Sequence, residues 1–135
     1  MKKIKYKIKS LLSVIIAVVI CLSAQFVAIA SDNIGSFQKN FVGATNYTLG
    51  YAAKTTSNQW VTFAVDKGVS LDLWGAYNAN GIVLTEKVKV LVGQSGIRAY
   101  YKTGFSASKG TKIKARGQQS SKSGTNTASG RVDYQ

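Results

Sequence analysis

Lys112, Lys114 and Arg116 stand at alternate positions, so an extended backbone carries all three on one face. Lys109 precedes them, and Arg98 and Lys102 bracket Tyr100 a little upstream. From residue 102 onward seven cations meet a single acid, Asp133. Cations held on one strand face create a local positive field that suits an anionic partner. Tyr100, set between two of them, adds a ring on which sugars or bases can stack. The competing reading is a solvated edge strand, charged to discourage pairing with other chains.

The rest of the reactive inventory is thin. The chain has no histidine, and its one cysteine is Cys21. Beyond residue 30 there is neither, which excludes a Ser-His-Asp triad, a Cys-His pair and a zinc site built on imidazole or thiolate. The five acids, Asp32, Asp66, Asp72, Glu86 and Asp133, lack the spacing of a calcium loop. Asp66 and Asp72 flank a turn and are the one carboxylate pair of the kind glycosidases use. The plainer reading makes both of them solvated residues at a strand edge. The expectation is a non-enzymatic protein without metal or cofactor.

Residues 1–30 read as a secretory signal peptide. Lys2, Lys3, Lys5, Lys7 and Lys9 form a basic start, an apolar run follows from Leu11, and Ala28-Ile29-Ala30 ends it before Ser31. Small side chains at Ala28 and Ala30 predict cleavage there, with Ser31 as the new N-terminus. A retained membrane anchor is the alternative, since about 20 apolar residues span a bilayer. Ile20 stands where a lipoprotein signal requires a small residue, which counts against acylation at Cys21. Cleavage removes five of the 18 basic residues and no acid, leaving a net charge of about +8 on a domain of about 105 residues. A single exported domain, 31–135, without cysteine suits the Gram-positive cell exterior, where disulfides are scarce.

The elements that must position these groups are strands. Alternation of apolar with polar residues predicts strands over 36–42, 47–54, 59–65, 69–77, 82–92, 97–103, 111–116 and 127–134. The turns between them carry Asp66-Lys67-Gly68, Asn80-Gly81 and Gly93-Gln94-Ser95-Gly96. No segment shows a helical period. About seven to eight short strands predict an all-β antiparallel sandwich, immunoglobulin-like or jelly-roll-like, behind an N-terminal signal helix, with a small barrel as the alternative. Trp60 and Trp74 are expected in its core.

The lysine-rich leader, the strand around Tyr47 to Thr55, the Asn58-Gln59-Trp60 strand start and the closing Ala128-Ser129-Gly130-Arg131-Val132 carry a resemblance. The chain resembles small secreted Gram-positive proteins of uncharacterised families and lactococcin-type bacteriocins, which share a cysteine-free β-sandwich plan. The resemblance implies no catalytic residues. Residues and resemblance together lead to one expectation, a secreted binding module, free or wall-associated. Its basic face would comprise Arg98, Lys102, Lys109, Lys112, Lys114 and Arg116, docking on an anionic cell-wall polymer or an anionic membrane surface. No motif for specific nucleic-acid binding is present. The alternative is a bacteriocin-like antibacterial protein acting at the envelope of competitor cells.

Overall fold

The computed structural model describes residues 33–135, so the expected signal helix and the expected cleavage position at Ala28, Ala30 and Ser31 lie outside the described residues. Ser31–Gln135 form one compact unit. It contains eight strands: β1 (Ile34–Val42), β2 (Tyr47–Ala53), β3 (Trp60–Lys67), β4 (Leu71–Tyr77), β5 (Val88–Val90), β6 (Ile97–Tyr100), β7 (Lys112–Gln119) and β8 (Thr125–Asp133). The described residues contain no helix.

The strands form two antiparallel four-stranded sheets, β1-β8-β3-β6 and β2-β7-β4-β5. The order has a simple origin. Folded back at the β4–β5 connection, the chain pairs β4 with β5, β3 with β6, β2 with β7 and β1 with β8. Rolling that long ribbon over itself adds the β3–β8 and β4–β7 pairings and gives a jelly roll. Consecutive strands therefore change sheet at every connection except β4–β5. We call the first sheet the β8 sheet and the second the β7 sheet.

Period-two alternation fills the space between the sheets. Val61, Phe63 and Val65 of β3, Leu71 and Leu73 of β4, Ile113 and Ala115 of β7, and Phe37 and Phe41 of β1 are buried in one core. Burial of each large apolar side chain contributes roughly 1.5–3 kcal/mol. Gly130 of β8 keeps the core closed, because a Cβ there would lie 2.1 Å from the Ala64 main-chain oxygen. Gly68 takes φ +97° in the β3–β4 turn and leaves no room for a side chain, with Thr127 O only 1.9 Å from an added Cβ.

The longest predicted strand, 82–92, is the main correction. Only Val88–Val90 of it pairs as a strand with β4. Upstream, Leu84 N and Thr85 N both donate to Gly75 O, and Thr85 Oγ1 accepts from Gly75 N at 2.8 Å. The chain then turns toward the other sheet: Glu86 N donates to Tyr100 O and Lys102 N to Leu84 O. Residues 84–86 thus leave their own sheet to close one side of the sandwich. The strand predicted to end at Arg116 instead runs on to Gln119, because Gly117 and Gln119 continue the inward alternation. The buried Gln119 amide donates to Ser123 O and Gly124 O and accepts from Asn126, which supplies partners that the sequence pattern does not reveal.

Candidate basic face

Strand β7 lies between β2 and β4, so the reading of its cations as edge protection does not hold. Ile113 and Ala115 are buried, which turns Lys112, Lys114 and Arg116 to the outer face of the β7 sheet. The register supplies their neighbours. Arg116 stands opposite Trp74 of β4 and Thr48 of β2, and Lys114 opposite Ala76 and Tyr51. Lys89 of β5 stands opposite Asp72. Lys87 lies over the Trp74 ring at 4.3 Å from its centroid, and the Arg116 guanidinium is at 6.0 Å.

Trp74 is therefore not in the core, contrary to expectation. It is 1% exposed, but cationic side chains and the neighbouring strands cover it on the outside of its sheet. Its inward-facing chain neighbours, Leu73 and Gly75, already fill the core positions of β4. Trp60 is also outside. It starts β3 on the outer face of the β8 sheet, half-buried, with the Tyr100 ring edge-on at 5.9 Å and the Arg98 guanidinium at 4.7 Å. Both indole Nε1 groups are buried without a hydrogen-bond partner. Alternation sets Trp74 opposite Leu73 and Gly75, and the expectation that a tryptophan of such a fold lies in its core overrode that signal.

The predicted cluster of cations is accordingly divided. Lys112, Lys114 and Arg116 share one face, and Lys87 and Lys89, which sequence reasoning left out, join them. Their signal was the alternation of those lysines with Val88 and Val90. Arg98 belongs to the opposite outer face, paired in register with Thr62. Lys102 and Lys109 lie in the β6–β7 connection, Lys102 half-buried and Lys109 exposed. Tyr100 is 54% exposed, as its position between cations suggests.

The two candidate acids lie on different sheets. Asp66 accepts from Arg131 Nε at 3.1 Å and Nη2 at 2.9 Å on the β8 sheet, and this pairing raises the Arg131 pKa further. Asp72, on the β7 sheet, accepts from Ser120 Oγ at 2.7 Å and from Gln118 Nε2 at 3.4 Å. Among the described residues no group of three His, Cys, Asp or Glu side chains is arranged to hold a metal ion.

One lysine took no part in the predicted site and is buried. Lys54 is 2% exposed, donates to the main-chain oxygens of Gln135 and Trp60, and lies 5.3 Å from the Tyr101 ring centroid. Burial lowers its pKa below the ordinary lysine value, with Asp133 pulling in the opposite direction. It ties the end of β2 to the end of the described chain. Comparison with protein-family models, with curated proteins and with solved structures gives no match.

Proposed function

We propose that this is a secreted, non-enzymatic binding module that docks on an anionic cell-envelope polymer through the outer face of its β7 sheet. The observation that carries the reading is the set Lys87, Lys89, Lys112, Lys114 and Arg116 around Trp74, with Asp72 the acid among them. Cations two residues apart along β7 repeat at about 6.8 Å, and neighbouring strands are about 4.8 Å apart. Such a lattice meets a polymer with regularly spaced anionic groups at several points at once. The exposed Tyr51, opposite Lys114, adds an aromatic surface for sugar units.

The test is cosedimentation of residues 31–135 with isolated Gram-positive cell walls, before and after removal of teichoic acid, over a salt series. Binding should disappear with the polymer and weaken steeply with salt. A Lys112→Gln, Lys114→Gln, Arg116→Gln variant should lose most of it. Equal binding to stripped walls would refute the reading. Growth arrest of related strains at low concentration would favour the bacteriocin-like alternative.

A further inference from the structure

The four connections β1–β2, β3–β4, β5–β6 and β7–β8 lie together at one end of the sandwich, because each joins an odd strand to the next even one. Their residues, 43–46, 68–70, 91–96 and 120–124, include no acid. The β5–β6 turn projects two aliphatic side chains, Leu91 at 46% and Val92 at 45% exposure. Turn tips ordinarily take Gly, Pro, Asn, Asp or Ser, so adjacent aliphatic residues here call for a reason.

The turn is held firmly. Gln94 N donates to Leu91 O at 3.0 Å, and the Gln94 side-chain oxygen accepts from Leu91 N at 2.9 Å. Gly93 supplies the positive φ of +84° that the tight reversal requires. Two further bonds fasten it to β3, Gly93 N to Val65 O at 2.7 Å and Val65 N to Gln94 O at 3.0 Å. The backbone is therefore fixed while Leu91 and Val92 stay outside the core.

Leu91 and Val92 form one wall of an open cleft of about 450 Å³, lined on its other sides by residues 68–70, Lys89, Ser120 and Ser121. Lys89 lies in that lining, and Lys67 and Lys122 adjoin lining residues in sequence. A fixed aliphatic tip beside Lys89, with Lys67 and Lys122 each one residue from the lining and Asp72 bonded to Ser120 at its edge, meets the two requirements of interfacial membrane binding, apolar area to bury and a net attraction to anionic headgroups.

We propose that this end of the molecule docks on an anionic lipid bilayer, inserting Leu91 and Val92 among the headgroups while Lys67, Lys89 and Lys122 face lipid phosphates. The surface shares Lys89 with the basic face but not Lys112, Lys114 or Arg116, so the Lys112→Gln, Lys114→Gln, Arg116→Gln variant, which should still bind vesicles, separates it from polymer binding.

The experiment uses residues 31–135, which contain every described strand, the whole described core and no native cysteine. An environment-sensitive fluorophore is attached at Val92→Cys or, as the control at the opposite end, at Ala79→Cys. Vesicles are phosphatidylcholine alone or mixed equally with phosphatidylglycerol. The label at 92 should brighten and shift to the blue with the anionic vesicles only, and the label at 79 should not respond. In sedimentation, a Leu91→Ser, Val92→Ser variant should bind the anionic vesicles about tenfold more weakly, as expected when two aliphatic side chains no longer partition. An equal response at both labels, or unchanged binding by the serine variant, would overturn the proposal. Failure to bind either vesicle would also overturn it and direct attention to a protein partner for the tip.

Discussion

The two outer faces each carry one tryptophan under a cation, yet they differ in burial and in charge. Trp74 sits mid-strand in β4 with β7 on one side and the β5 segment on the other, so its ring is covered from both flanks. Trp60 opens β3, where β6 pairs with it but β8 begins only at Thr62. One flank is open, and the ring remains half-exposed. The charges follow a related division. The β8 sheet offsets Arg131 with Asp66 and also carries Asp133, whereas the β7 sheet gathers five cations around one acid. A tryptophan on a sheet exterior is thus buried by its strand neighbours as much as by its own hydrophobicity.

Truncation should break that comparison most visibly. Trp74→Ala should lower stability by about 3–5 kcal/mol, and Trp60→Ala by roughly half as much, given its exposure. Urea unfolding of residues 31–135 measures both. Equal losses would mean that the two rings are equally packed. The next effect concerns charge. Arg116→Gln should weaken binding to teichoic acid several-fold, while Arg98→Gln on the opposite face should change it little. Similar losses would spread the interaction over the whole surface instead of one sheet.

Much of this arrangement was readable in advance. Residues 47–54 predicted β2 closely and 97–103 overran β6 by three residues, while alternation set Val61, Phe63 and Val65 opposite Trp60, Thr62 and Ala64 but the expectation of a core Trp60 chose the wrong side. Alternation could not assign strands to sheets. Lys112, Lys114, Arg116 and Arg98 look like one cluster along the chain, and they separate because β6 and β7 belong to different sheets. Residues 82–92 misled for another reason. A long alternating run does not record that residues 84–86 change partners, and only the bonds to Gly75 and Tyr100 show it. Gln119 hid in a polar stretch because its burial depends on acceptors in the following turn.

A titration probes the side chains between the two faces. Burial pushes the Tyr101 hydroxyl up to about 12 from its ordinary 10.0, and nearby Tyr77 acts in the same direction. The unfolded chain releases this proton near pH 10, and the folded chain holds it to about pH 12. That contribution to stability is complete below pH 10 and is lost as pH rises through the window. Tyr101→Phe should flatten the alkaline decline and add about 1 kcal/mol by removing a buried hydroxyl with no partner. Buried Tyr134, also raised, keeps part of the decline in the variant.

The smallest effect returns to the two rings. Lys87→Ala and Arg98→Ala should each cost about 0.5–1 kcal/mol, the scale of an exposed cation over an aromatic face. Acrylamide quenching is the sharper readout. Lys87→Ala should uncover Trp74 and increase quenching, whereas Arg98→Ala should change an already accessible Trp60 much less.

The β1–β8 ladder sets an order of events. It joins Ile34 to Asp133 and Val42 to Thr125, so the first strand finds its partner only when the last one is available. Pairings this distant in sequence make folding slow relative to local hairpins. A chain made from its N-terminal end holds β1 unmatched until β8 is available, so the same ladder that completes the β8 sheet also sets the latest step of its completion.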